Sequence, residues 1–204
     1  MSDSRVGILG GTFDPIHLGH LIPAMYAIGH LALERLYLVP SAAPVHRPRH
    51  TPAPGQDRLR MCELAVRSLP RFRVCDIEVR RPEPSYTVLT LEHFRKTLGD
   101  AAEIFLLVGE DNLPLLPTWH RAADLPRLAR LAVLPRPGPG QAPGPELRAL
   151  LGQDLERTLV RVPTPLGPIS ATGIRRRLGA GDDVAGLVPA SIAAYIRTRR
   201  LYRP

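Results

Sequence analysis

Strand-like and helix-like segments alternate along almost all of this 204-residue chain, which predicts an α/β fold: a mainly parallel sheet with helices on both faces. Two further observations sharpen that prediction. Val6-Gly7-Ile8-Leu9, Ile104–Val108 and Leu131–Leu134 are short, nearly continuous apolar runs, the pattern of parallel strands covered on both sides. The first of them passes through Gly10-Gly11 straight into a helical segment, a strand–turn–helix unit suited to binding an anion. The expected architecture is therefore Rossmann-like and doubly wound, with ligands at the carboxyl ends of the strands near a switch point. A small helical part, about 170–204, closes the chain, and 1–204 is expected to form a single domain.

After Val6–Leu9, residues Leu21–Leu31 read as a helix and Leu36–Val39 as a strand ended by Pro40. Pro44–Pro54 is then a long proline-rich loop. Gln56–Leu69 reads as a helix with Leu59, Cys62 or Glu63, and Val66 along one side. Polar and apolar residues alternate over Phe72–Val79, which predicts a strand. Ser85–Leu98 follows as a helix, with Ser85 as its N-cap just after Pro84. Beyond the apolar strands Ile104–Val108 and Leu131–Leu134, the stretch Pro135–Pro145 holds too much proline and glycine for regular structure. It reads as a surface loop and not as a linker between domains, because a further strand, Thr158–Val162, and another motif come after it.

Composition excludes several classes. Hydrophobic residues at 44% and charged residues at 23% fit a folded globular chain and not a disordered one. No apolar run is long enough for a membrane span, and Met1–Arg5 leads into the first strand without a signal-peptide core, so a cytoplasmic protein is expected. Cys62 and Cys75 lack C-x-x-C spacing and are expected to stay reduced. The net charge of +8 would suit a nucleic-acid binder. Yet arginine is spread along the whole chain, Lys96 is the only lysine, and no nucleic-acid-binding signature is present, so a cleft for polyphosphates accounts for the charge better.

The chemistry concentrates in Gly10-Gly11-Thr12-Phe13-Asp14-Pro15-Ile16-His17-Leu18-Gly19-His20. Two glycines allow a sharp turn and close approach of a ligand to main-chain N–H groups, beside a helix start that carries partial positive charge. His17 and His20, three residues apart, share one face if the helix has begun by His17, and could then donate to two oxygens of one polyphosphate. Neither G-x-G-x-x-G nor G-x-x-x-x-G-K-[ST] is present, which argues against dinucleotide oxidoreduction and P-loop hydrolysis. A zinc pair would need a third ligand that the sequence does not offer, so no protein-held metal is expected.

The undecapeptide resembles the signature of the nucleotidylyltransferase superfamily, a glycine-rich turn followed by H-x-G-H, and is most similar to that of the bacterial nicotinate mononucleotide adenylyltransferases. Three further motifs follow in that family's order. Ser85-Tyr86-Thr87 resembles an S-Y-T segment that contacts the mononucleotide; here Leu89 stands where an aspartate is frequent. Gly109-Glu110-Asp111 with Trp119 resembles a G-x-D…W segment, in which the glycine lets ATP approach, the aspartate accepts from a ribose hydroxyl or the adenine edge, and the tryptophan stacks on the pyridine ring. Ile169-Ser170-Ala171-Thr172-Gly173-Ile174-Arg175 resembles I-S-S-T-x-I-R, with Ala171 replacing the second serine; Ile169, Ser170, Thr172 and Arg175 would serve the ATP phosphates. In the proline-rich loop His46 and Arg47 stand where the family has P-P-H-K, with arginine replacing lysine.

The resemblance implies adenylyl transfer from ATP to nicotinate mononucleotide, giving the adenine dinucleotide and pyrophosphate in NAD synthesis. Gly10, Gly11, Thr12 and Phe13 would hold phosphate; His17, His20 and Arg175 would be catalytic; His46, Arg47, Ser85, Tyr86, Thr87 and Trp119 would bind the mononucleotide. Mg²⁺ is expected to arrive mainly through ATP. Other acceptors, nicotinamide mononucleotide or phosphopantetheine, stay open, as does a nucleotide-binding regulator without turnover. The sequence leaves homo-oligomerisation open and implies neither a nucleic-acid nor a membrane partner.

Overall fold

The computed structural model describes residues 4–42, 52–81, 84–136, 142–152, 155–165 and 167–202. Among them, strands β1 (Arg5–Gly11), β2 (Arg35–Pro40), β3 (Phe72–Val74), β4 (Glu103–Gly109), β5 (Arg130–Leu134) and β6 (Leu159–Arg161) form one sheet. Its order is β3-β2-β1-β4-β5-β6, and every neighbouring pair is parallel. From β1 the chain builds outward to β2 and β3, then returns to place β4 on the other side of β1. The connections leaving β1 and β4 therefore diverge, and a crevice opens at their carboxyl ends.

The helices are α1 (Leu18–His30), α2 (Gly55–Val66), α3 (Ile77–Arg80), α4 (Thr87–Leu98), α5 (Leu125–Leu128), α6 (Pro145–Leu151), α7 (Leu155–Thr158), α8 (Ala171–Ala180) and α9 (Ala190–Arg199). Strand residues alternate between two cores, as the pleat requires. Leu9, Leu38 and Leu107 pack on one face with Leu21 of α1, Met61 of α2, Ile174 of α8 and Ile192 of α9. Ile8, Leu106 and Val108 pack on the other with Val88 and Leu91 of α4, Leu125 of α5 and Leu147 of α6. Each fully buried aliphatic side chain contributes about 1.5–3 kcal/mol by leaving water, so the two cores hold the strand ends that frame the crevice. Gly7 permits close packing of the sheet on Leu33: a Cβ there would stand 2.6 Å from Leu33 Cδ1.

Several elements differ from the sequence expectation. The strand expected over Phe72–Val79 stops at Val74, because only Phe72–Val74 pairs with Leu36–Leu38. Ile77–Arg80 then turns into helix and carries Glu78 inward, where its Oε1 accepts from the Thr90 hydroxyl at 2.6 Å. A buried polar contact has overridden a local alternation. Helix α1 begins at Leu18 instead of Leu21, and α2 ends at Val66 instead of Leu69. On α2 the inward positions are Asp57, Arg58, Met61, Cys62, Ala65 and Val66, which settles Cys62 against the exposed Glu63 and leaves Leu59 half-buried. Ser85 is not the cap of α4: that helix starts at Thr87 after Tyr86, and Ser85 Oγ instead accepts from Ala42 N–H at 2.9 Å. Within the proline-rich stretch expected as loop, residues 137–141 lie outside the described residues, and Pro145 already opens α6 from the first helical position, where its missing N–H costs nothing.

Candidate active site

A cleft of about 580 Å³ lies at the carboxyl ends of β1 and β4. Its floor is the turn after β1. Gly10 meets nothing within 4 Å of a notional Cβ, so main chain is open to the cleft there, whereas a Cβ on Gly11 would press on the Phe13 ring at 3.2 Å. Phe13 is buried with φ +48, a left-handed backbone conformation that swings its ring beneath the turn.

The turn is fastened from below by Arg58, which is 1% exposed. Its guanidinium donates to Thr12 O at 2.7 Å, Ser41 O at 2.6 Å, Ala42 O at 2.9 Å and Ala53 O at 2.9 Å. One planar fork thus ties the ends of β1 and β2 to the segment entering α2. Burial lowers the Arg58 pKa, and the neighbouring Asp14 carboxylate opposes that shift.

His17 and His20 stand where α1 begins. His17 is the residue before the first helical turn, with extended backbone (φ −147, ψ 171), so the helix starts just after it. The rings still meet: their centroids are 3.8 Å apart at an interplanar angle of 25°, and Phe13 abuts His20 edge-on at 5.2 Å. His20 Nδ1 accepts from His17 N–H at 3.4 Å, which leaves Nε2 as the proton-bearing nitrogen of the neutral ring. Gly19 is required by this packing, since a Cβ would stand 2.9 Å from both His17 Nδ1 and Ile169 O.

His17 is only 2% exposed, and its Nδ1 is buried without a hydrogen-bond partner. Burial, with the Arg136 charge as a smaller cause, lowers its pKa from 6.5 to about 4. Between those two values the unfolded chain binds a proton that the folded chain refuses, so stability falls as pH drops from 6.5 towards 4. The difference reaches about 3 kcal/mol at the acid end. Thermal melts across this window should show a steeper loss for the wild type than for His17→Gln, and parallel curves would place the His17 proton elsewhere.

The opposite wall carries the second phosphate turn. Ser170 caps α8, its Oγ accepting from Gly173 N–H at 3.1 Å. Thr172 and Arg175 line the cleft, with Arg175 Nη2 donating to Thr172 Oγ1 at 3.2 Å. Ile169 lies instead in a smaller adjoining pocket of about 130 Å³, between α1 and Pro135-Arg136. Ser85, Thr87 and Trp119 also line the main cleft, while Tyr86 stacks on His120 at 4.2 Å. Gly109 closes β4, and a Cβ there would collide with the Asp111 carboxylate. Asp111 itself is turned to the rim, where Arg136 Nε donates to it at 3.0 Å. His46 and Arg47 lie outside the described residues.

Sequence reasoning did not single out Asp14, Arg58, Glu78, Arg136 or Tyr202 for the site. Asp14 and Glu78 are buried acids on the cleft wall. Asp14 was legible within the glycine-rich motif but carried no role there; the others gave no local signal.

Two helix starts, α1 and α8, facing one crevice at a sheet switch point, with arginine and histidine between them, define a nucleotide-binding α/β enzyme. Comparison with known proteins narrows this class. Residues 8–177 match the Cytidylyltransferase-like family. A probable nicotinate-nucleotide adenylyltransferase of Dehalococcoides mccartyi is 40% identical over 202 residues, covering 99% of this chain and 98% of that one. One of Chromobacterium violaceum is 42% identical over 211 residues, covering 98% of this chain and all (100%) of that one. Nicotinic acid mononucleotide adenylyltransferase of Plasmodium falciparum, solved with NaAD, superposes with a TM-score of 0.75 at 16% identity over 98% of this chain and 97% of that one, a likeness of fold. The chain belongs to the cytidylyltransferase-like family and, within it, to the nicotinate-nucleotide adenylyltransferases. It is accordingly a nucleotidyltransferase of NAD biosynthesis. No helix among the described residues is long and apolar enough to cross a membrane.

Proposed function

We propose that the enzyme joins ATP to nicotinate mononucleotide, forming nicotinate adenine dinucleotide and pyrophosphate. The observation that carries this reading is that one cleft is lined both by the Gly10–Phe13 turn, His20, Thr172 and Arg175 and by Ser85, Thr87 and Trp119. The first set offers donors to phosphate. The second offers the Thr87 hydroxyl and N–H groups at the start of α4 to a carboxylate, and an aromatic face to a pyridine ring.

In this reading a 5′-phosphate oxygen of the mononucleotide attacks the α-phosphorus of ATP. The new P–O bond forms as the bond from the α-phosphorus to the bridging oxygen breaks, and pyrophosphate leaves with that electron pair. No protein nucleophile is needed; the enzyme aligns two anions and stabilises charge on the leaving group. His20 Nε2–H would donate to the phosphate chain and Arg175 would hold the outgoing phosphates; His17, buried and outside the cleft lining, would reach phosphate only through reorientation of its ring. The apolar pocket beside Ile169 and Pro135 would take the adenine. Besides the buried Asp14 and Glu78 carboxylates, the cleft groups assigned to phosphate are hydrogen-bond donors, a set that fits Mg²⁺ carried by ATP oxygens and water. That ion would neutralise phosphate charge.

The test is pyrophosphate release from ATP and Mg²⁺ with nicotinate or nicotinamide mononucleotide as acceptor. Rapid release with the acid and slow release with the amide is expected; preference for the amide, or release with neither, overturns the proposal. In the same assay Trp119→Ala should raise KM for the mononucleotide about tenfold with KM for ATP little changed, as loss of a stacking contact would require. Equal KM values would confine Trp119 to the core it partly joins.

A further inference from the structure

The buried carboxylate of Asp14 gathers three distant parts of the chain. It is 3% exposed. Its Oδ1 accepts from the Tyr202 hydroxyl at 2.8 Å and from Ala53 N–H at 3.0 Å. Arg175 Nη1 donates to the Asp14 main-chain oxygen at 2.7 Å and stands 3.6 Å from Oδ2. Tyr202 lies past α9 in a left-handed backbone conformation (φ +62), packed against the core shared by α1, α2 and α8. Burial and the Asp14 charge push the Tyr202 pKa up, so the hydroxyl keeps its proton and remains a donor.

We propose that Tyr202 is a positioning residue for the transfer reaction: by fixing the Asp14 carboxylate it sets the guanidinium of Arg175 against the outgoing pyrophosphate. The inference rests on the function proposed above. Arg175 touches the phosphate path; Tyr202 does not line the cleft and acts only through Asp14. A guanidinium held by a main-chain oxygen and a nearby carboxylate keeps its remaining N–H groups aimed away from Asp14, towards Thr172 and the cleft. Without the Tyr202 hydroxyl, the carboxylate loses one of the Oδ1 donors described above and can rotate towards Arg175, drawing the guanidinium down from the phosphates. The effect should therefore fall on pyrophosphate and not on the mononucleotide.

The experiment is Tyr202→Phe, alone and combined with Arg175→Lys, assayed in both directions with ATP, nicotinate mononucleotide and inorganic pyrophosphate. Tyr202→Phe should lower kcat about tenfold and raise KM for pyrophosphate in the reverse reaction, with KM for nicotinate mononucleotide unchanged. In the Arg175→Lys background the same substitution should add little, because the group it positions is already gone. Equal losses from Tyr202→Phe in both backgrounds, or a uniform rise in all KM values with a lowered Tm, would overturn positioning in favour of a general structural role. An inactive wild type would instead overturn the proposed function, whatever the variants do.

Discussion

His20→Ala should turn over about 10²–10³-fold more slowly than the wild type, with kcat and kcat/KM falling together. The reason is the tautomer. Nδ1 of His20 faces the His17 amide, so Nε2 bears the proton that can meet negative charge as the bond to pyrophosphate breaks. The ring is held by the stack on His17 and the edge of Phe13, which leaves little freedom to be lost on the way to the transition state. Stability should change little, because His20 is half-buried and its bond from the His17 amide is long at 3.4 Å. His20→Gln, whose amide N–H can approach the Nε2 position, should recover part of the loss. Steady-state rates with both variants, beside their melting curves, check this. A rise in KM for ATP at constant kcat would assign His20 to ground-state binding alone.

The sheet and both phosphate turns were legible because their causes are local. An apolar run of four or five residues marks a strand covered on both faces, and Gly10-Gly11 before a helical segment marks a turn open to a ligand. Ser170, assigned to phosphate from its motif, also caps α8, whereas Ser85, expected as the cap of α4, is not one. The difference is tertiary. Ala42, from the end of β2, presents an N–H that captures Ser85 Oγ, and nothing within the helix signals that. Glu78 broke the expected strand in the same way, by reaching Thr90 across a turn.

The Asp14 hub could not be read at all. Its partners Ala53, Arg175 and Tyr202 are 39, 161 and 188 residues away in the chain. Periodicity carries no information about contacts of that length. What the sequence did offer was the pairing of two phosphate motifs near opposite ends of the chain, which requires some element to bring them together. The doubly wound order, with β1 at the centre and α8 packed on its face through Ile174 and Leu9, does that.

Arg58 was hidden for a different reason, and it carries the largest expected effect on stability. In the run Gln56-Asp57-Arg58-Leu59-Arg60 it looks like one charge among several on a solvated helix start. In the fold its guanidinium fills a polar pocket made of four main-chain oxygens, with Asp14 close enough to help sustain its charge. Arg58→Met keeps most of the side-chain volume but leaves those oxygens without their shared donor. The variant should lose about 3–5 kcal/mol, the range for removing one partner from a buried charged network. Arg58→Lys should recover only part of that, since an ammonium on a flexible stem cannot reach four acceptors spread around a planar fork. The measurement is urea unfolding, in which the midpoint should fall with the slope unchanged. A loss under about 1 kcal/mol in Arg58→Met would mean that water replaces the guanidinium at little cost. Because Thr12 O is one of the four acceptors, the same substitution should also slow turnover at temperatures where the protein is still folded. The stability of the chain and the shape of its phosphate turn thus depend on one buried side chain, and a variant that lost stability while keeping full activity would separate the two.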